Sequence, residues 1–186
     1  MAVARDDPPP HELKLVVEFV NTLDLDEGTD ELATPAGLAR WLGVRGLLGE
    51  RVRVGALERQ QALGLREALR IILRAHSDAP ADDDDGAAAA LETVAERGQL
   101  SVRFAADGTV TLAPRAGGVA GALASLLGPV ARAAADGTWA RVKLCAAEDC
   151  GWAFYDRSRN RSGRWCDMAV CGNRTKVRTY RTKRGP

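Results

Sequence analysis

Four cysteines, Cys145, Cys150, Cys166 and Cys171, are the only ones in a chain of 186 residues, and they stand as C-x4-C-x15-C-x4-C in its last quarter. Two close pairs separated by a mid-length loop suit one tetrahedral Zn²⁺. Each short pair can turn its sulfurs toward one point while the loop brings the pairs together. The tail therefore reads as a small four-cysteine module holding one structural zinc. The competing readings are disulfides, which belong to oxidising compartments, and unconnected or redox thiols. Met1 to Pro10 carries Asp6, Asp7 and three prolines where an export signal needs a basic region followed by an apolar stretch. No apolar run is expected to approach the roughly eighteen residues of a membrane span. The expectation is a cytoplasmic protein with reduced thiols and no membrane partner.

Charge divides the molecule as sharply as the cysteines do. Residues 1–140 carry 14 Lys and Arg against 21 Asp and Glu, net −7, whereas residues 141–186 carry 12 against 4, net +8. The overall +1 conceals a basic tail on an acidic body, and such a tail is expected to seek a polyanion. With 46% hydrophobic residues the chain can also bury a real core, which suggests one main domain and an appendage.

Residues 1–137 read as the body and 138–186 as the finger. Leu13, Val16, Val17, Val20 and Leu23 recur at helical spacing from about His11 to Leu23. Thr34-Pro35 is a helix start, with Leu38, Trp41 and Leu42 on its buried face. A longer helix is expected over Ala56 to His76, with Leu57, Leu63, Leu65, Leu69, Ile72 and Leu73 turned inward and arginines on the other side. Pro80 to Gly86, containing Asp82 to Asp85, reads as a solvated loop, since consecutive carboxylates lack the alternating pattern of a calcium site. Ala87 to Arg97 is a short helix. Alternation at Leu100, Val102 and Phe104, the Asp107-Gly108 turn, and Val110 with Leu112 predict a β-hairpin. Gly117 to Asp136 returns to helix and Gly137 stops it. The fold class expected is α+β: a predominantly α-helical body with a β-hairpin, plus a small C-terminal four-cysteine zinc-finger module.

No catalytic set emerges, so the chain is not expected to be an enzyme. His11 and His76 read as surface residues. Neither a phosphate-cradling glycine loop nor a nucleophile elbow is present, and zinc uses every cysteine.

In the tail, extended segments are expected over Trp139 to Leu144 and Cys150 to Asp156, a turn-forming loop over Arg157 to Gly163, and a helix capped by Asp167 that contains Cys171 and runs to about Lys183. Arg174, Arg178 and Arg181 would form one stripe on it, with Val170, Val177 and Tyr180 packing back toward the knuckle. Candidate nucleic-acid contacts are Arg157, Arg159, Arg161 and Arg164 in the loop and Arg174, Lys176, Arg178, Arg181, Lys183 and Arg184 on the helix. Arginine suits bidentate contact with phosphate oxygens or guanine edges. The alternative for Arg164 and Arg174 is bracing the finger through backbone carbonyls, Asp156 or Asp167.

The segments Cys145-Ala-Ala-Glu-Asp-Cys150-Gly-Trp152, Phe154 to Arg161, and Arg164-Trp165-Cys166 through Cys171-Gly-Asn-Arg174 resemble the CGNR zinc-finger proteins, in which this finger follows an ABATE domain. Glu18-Phe19-Val20-Asn21-Thr22, with Glu18 where the motif usually has Asp, and Thr34-Pro35 through Trp41-Leu42 extend the resemblance into the body. It implies a bacterial, stress-linked transcription regulator whose finger binds DNA and whose body binds an effector. Asn21 and Thr22 are then candidate ligand contacts; the alternative is that Asn21 ends the first helix by bonding to backbone.

The leading expectation is a zinc-dependent regulator of transcription whose partner is double-stranded DNA, with a small-molecule effector and a homodimer compatible with paired half-sites. The alternatives are an RNA-binding module using Trp152, Phe154, Tyr155 and Trp165 to stack on unpaired bases, and a metabolite-binding protein whose finger is only structural or a protein-interaction element.

Overall fold

The computed structural model describes residues 9–77 and 84–184, with the side chains of residues 84, 179 and 181–184 outside the description. Helix α1 (His11–Val20) turns its apolar face inward through Leu13, Val16, Val17, Phe19 and Val20. It is shorter than the spacing predicted, because Leu23 leaves the helical path and pairs in a two-residue strand, β1 (Leu23–Asp24), against β2 (Thr29–Asp30). Helix α2 (Pro35–Val44) starts as expected, with the Thr34 hydroxyl accepting from the Gly37 amide at 3.0 Å. Trp41 meets Phe19 edge to face at 5.3 Å, and Arg45 covers the tryptophan ring at 4.0 Å while bonding Glu18.

The central strut is α3 (Ala56–Ala75), which contributes Ala62, Leu65, Leu69 and Leu73 to the core. Arg66 and Arg70 were expected on its outer side, yet both are buried, and Leu57 is exposed. Burial of the two arginines is offset by specific acceptors. Arg66 forks onto the Asp30 carboxylate at 2.6 and 3.0 Å and reaches the Thr22 hydroxyl, while Arg70 crosses to the C-terminal segment.

Helix α4 (Asp84–Arg97) begins earlier than predicted. Asp84 and Asp85 already belong to it, and residues 80–83 of the expected loop lie outside the described residues. The hairpin β3 (Leu100–Phe104) and β4 (Val110–Pro114) forms as read, with Val102 opposite Leu112 and Phe104 opposite Val110.

The single helix expected over Gly117 to Asp136 is two, α5 (Gly118–Ser125) and α6 (Leu127–Ala135). Pro129 supplies the reason: it has no amide for the carbonyl four residues earlier and is best tolerated in a helix's first turn. The window Gly118–Ala135 is long and apolar enough, by composition, to cross a membrane, correcting the expectation that no such run existed. Half of it is buried inside the protein, where Leu123 and Leu126 belong to the common core.

A 3-10 turn (Trp139–Arg141) leads into β5 (Val142–Leu144), which pairs antiparallel with β6 (Ala153–Tyr155). Val142, Leu144, Ala153 and Tyr155 from this hairpin join the same apolar cluster as α1, α2, α3 and α5. Val142 and Leu144 each contribute about 1.5–3 kcal/mol when fully buried. The tail is thus packed into the body's core rather than tethered to it. After a π-helical turn (Met168–Gly172) comes α7 (Asn173–Arg184), the last described element.

Candidate metal centre and basic surface

The β5–β6 hairpin places the first cysteine pair. Cys145 directly follows β5 and donates its amide to the Trp152 carbonyl at 2.8 Å, while Cys150 closes the turn by donating to Ala147 at 3.0 Å. The Ala146 amide donates to the Arg164 carbonyl at 2.8 Å, which draws the incoming chain of Cys166 across the knuckle. Asp167 then accepts from the Ala169 and Val170 amides at 2.7 and 3.0 Å, capping the π-helical turn in which Cys171 sits.

All four sulfurs lie within 4.8 Å of one another, all four residues are buried, and Cys166 is 3.6 Å from Cys150 and 3.7 Å from Cys171. A tetrahedron with Zn–S bonds of 2.3 Å has edges of about 3.8 Å, so the cluster has the right size. Its electrostatics agree. Hydrogen bonds with Cys150 and Cys166 push the Cys145 thiol strongly down, whereas those with Cys145 and Cys150 push Cys166 strongly up, because crowded sulfurs cannot share several negative charges. A divalent cation removes that conflict. One zinc ion fits this donor set, with Cys145, Cys150, Cys166 and Cys171 as ligands.

The tetrapeptide beginning at Cys171 has a local explanation. A Cβ on Gly172 would lie 2.5 Å from the Met168 sulfur, so a larger residue there would have to displace the Met168 side chain. The Asn173 amide donates to the Ala169 carbonyl at 3.0 Å and ties the π turn to α7. Arg174 approaches the Cys171 sulfur at 3.6 Å, bonds Asp26 of the body at 2.9 Å, and pairs with Asp149 of the knuckle at 3.4 Å. Its bond to Asp26, strengthened by neighbouring negative charge, holds it more firmly protonated than an ordinary arginine.

The loop after β6 is shaped from beneath. Asp156 is fully buried; its carboxylate accepts from the Ser158 and Gly163 amides at 2.9 and 2.8 Å and from the Lys143 ammonium at 2.9 Å. Burial opposes its charge, but the bonds from Ser158 and Lys143 outweigh it and hold the carboxyl below its usual range. Lys143 also donates to the carbonyls of Arg161 and Gly163, and Arg141 to those of Asp156 and Ser158. The loop is therefore fixed while its arginine side chains face outward.

Arg157, Arg159, Arg161 and Arg164 are all exposed, with Arg157 over Tyr155 and Arg164 over Trp165. Lys176 is exposed on α7. The expected stripe on α7 is differently engaged. Arg174 braces the finger, and Arg178, still half exposed, pairs with Glu148 and Asp149 at 3.2 and 3.3 Å. The side chains of Arg181, Lys183 and Arg184 lie outside the described residues. Val170, Val177 and Tyr180, expected to pack toward the knuckle, are instead exposed, because the helix turns Arg174 and Arg178 toward the acidic groups there.

Asn21 and Thr22 act as connectors. Asn21 ends α1 as its C-cap residue, and its side-chain amide exchanges two hydrogen bonds with the Ala153 backbone, donating at 3.0 Å and accepting at 2.7 Å, so it also ties β6 to the body. The buried Thr22 hydroxyl donates to Phe19 at 2.7 Å and accepts from Arg66. Three further ties escaped sequence reasoning. Arg70 donates to the Gly151 carbonyl at 3.0 Å, Ser77 to that of Leu144 at 2.8 Å, and His76 Nδ1 meets that of Val142 at 2.8 Å. Gly151 is held at φ +58°, with the Arg70 guanidinium 2.5 Å from where a Cβ would stand. His76 is half-buried against Trp139, not a free surface residue. Its Nδ1 carries the proton, since a carbonyl can only accept.

A helical body whose core takes in the hairpin that carries a four-cysteine knuckle defines a zinc-finger protein. Residues 13–137 match the ABATE family, described as "Putative stress-induced transcription regulator", and residues 141–184 match the CGNR zinc finger. The chain belongs to the ABATE family and carries a CGNR finger at its C-terminal end. No curated protein matches the chain.

Proposed function

We propose that the protein is a cytoplasmic, zinc-dependent regulator of transcription that binds duplex DNA through its finger, acts by binding rather than by catalysis, and answers a stress-linked small effector through its body. The observation that carries this reading is the arginine loop. Arg157, Arg159, Arg161 and Arg164 project from a segment whose backbone is fixed by the buried Lys143–Asp156 pair beside the four-cysteine centre. Preorganised guanidinium groups suit phosphate oxygens and guanine edges, because little side-chain and loop entropy remains to be lost on binding. The ion pairs of Arg178 are surface contacts worth about 0–1 kcal/mol, so phosphates can displace them.

Duplex DNA is favoured over unpaired RNA by the placement of the aromatic rings. Phe154 and Tyr155 are buried, and Trp152 and Trp165 pack against the cysteine cluster, so the rings build the finger rather than a stacking platform. Two copies of the chain on paired half-sites would match the usual symmetry of such readers.

Zinc-loaded protein titrated with duplex DNA and with single-stranded RNA across a salt series tests the reading. Duplex preference is expected, with affinity falling roughly a thousandfold between 50 and 200 mM salt if about six cations meet phosphates. Preference for RNA at every salt would overturn the choice of partner. Binding to neither would overturn the regulator itself.

A further inference from the structure

Between α3, α4 and α5 lies a cavity of about 310 Å³, with neither Asn21 nor Thr22 in its lining. Its floor is apolar and buried, formed by Leu65, Val94 and Leu123. The volume falls at the lower end of the roughly 300–1,000 Å³ of small-molecule pockets.

Gly64 lies at the exposed mouth of the cavity. It stands in the interior of α3, where glycine weakens a helix relative to alanine. A Cβ added there meets nothing within 4 Å, so no protein neighbour demands glycine. Gly64 of α3 and the small Ala90 of α4 both line the cavity, so a larger side chain at either position would intrude on it.

The rim supplies charge. Arg97, in the last turn of α4, is exposed and forms no ion pair within the described residues, and the Gln61 side chain there makes no hydrogen bond either. Thr93 already donates its hydroxyl to Ala89 at 2.8 Å, so the open donors are Arg97 and Gln61. One guanidinium fork and one amide suit a single carboxylate. A phosphate ester would bring a second charge with no second cation among these lining residues to meet it.

We infer that this cavity is a binding site for a small apolar monocarboxylate, its hydrocarbon part on Leu65, Val94 and Leu123 and its carboxylate at Arg97 and Gln61. The same helix that forms one wall continues to Arg70, His76 and Ser77, which hold the finger hairpin. Occupancy therefore bears on the element that mounts the finger. Only this regulatory consequence rests on the effector-responsive reading above; binding itself does not.

The test uses the full zinc-loaded chain, with thermal shift and calorimetry against octanoate, decanoate and 1-naphthoate, and 1-octanol as the uncharged control. At least one carboxylate is expected to bind saturably and raise the melting temperature. Arg97→Gln should weaken that binding by about tenfold, the effect of losing a charged hydrogen bond. Gly64→Phe and, from the opposite wall, Ala90→Leu should abolish it, each variant first shown to melt cooperatively with zinc bound. No binding by any of the three acids, or undiminished binding in a folded filled variant, would overturn the site. Octanol binding as tightly as octanoate would overturn the carboxylate assignment. DNA is absent from this readout, so its outcome is independent of the fate of the DNA-binding proposal.

Discussion

The body and the finger solve the same folding problem with different materials. The body closes around leucines, valines and the Phe19–Trp41 pair, an apolar core large enough to specify a fold. The finger's separate buried cluster contains little besides its four cysteines, Ala147 and Phe154, with Trp152 and Trp165 at its edge. A segment of that size cannot bury enough apolar surface on its own, so metal ligation and a buried polar network take over. Yet the two regions are not independent, because β5 and β6 belong to the body's core. The metal is needed for the knuckle, the loop and the π turn, while the hairpin beneath them is held by packing.

Removing a ligand breaks this division most severely. Structural zinc contributes on the order of 10–16 kcal/mol of apparent binding energy in small modules. Cys166→Ser is expected to abolish stoichiometric zinc and melt the segment beyond β6, while most far-UV helical signal and a cooperative melt of the body persist. Metal analysis and circular dichroism check this, and simultaneous collapse of the body would contradict it.

Asp156→Ala leaves Lys143 buried without its carboxylate, a loss of roughly 3–5 kcal/mol. It should disorder the arginine loop first, seen as fast amide exchange at Ser158 and Gly163, with zinc still bound by the four cysteines.

Within the body, Asp30→Asn breaks the fork from buried Arg66 and is expected to lower stability by about 3 kcal/mol near neutral pH. Burial acts against the Asp30 charge, but the bonds from Arg66 and Leu32 outweigh it and hold the carboxyl below its ordinary 3.8. A depressed carboxylate contributes stability above the unfolded value that is lost as pH falls through the folded one. Chemical denaturation below pH 4 should therefore show a shallower acid loss in Asp30→Asn than in the parent.

Asn21→Ala is the mildest of these changes. It removes a two-bond tie from body to finger and should cost about 1–2 kcal/mol. The loss should appear as faster exchange of the Ala153 amide, with zinc content unchanged.

The two regions also differed in how much of them could be read in advance. The metal site was legible because ligand spacing is local: Cys145 and Cys150 close one turn, and Asp167 caps another around Cys171. The β3–β4 hairpin was legible for the same reason, in its alternation and its Asp107-Gly108 turn. Arg66 and Arg70 were misjudged because their partners, Asp30 and the Gly151 carbonyl, are remote in sequence. Their position between Leu65, Leu69 and Leu73 was a usable signal, since it put them on the apolar face. Pro129 likewise marked the break between α5 and α6. Nothing local could have revealed that Asn21 pairs with Ala153, or that Arg174 reaches Asp26, since those contacts exist only once the finger is seated.

The central claim is that zinc and the Lys143–Asp156 pair serve to present loop arginines to DNA. Arg159 and Arg161 are exposed, and neither guanidinium has a partner within the described residues, so replacing both by Gln should leave zinc content and thermal stability unaltered. Duplex-DNA affinity measured across a salt series for Arg159→Gln/Arg161→Gln against the parent is the most direct test. The account predicts weaker binding and a log–log salt slope reduced in magnitude by about 2. An affinity and slope equal to the parent's would contradict it.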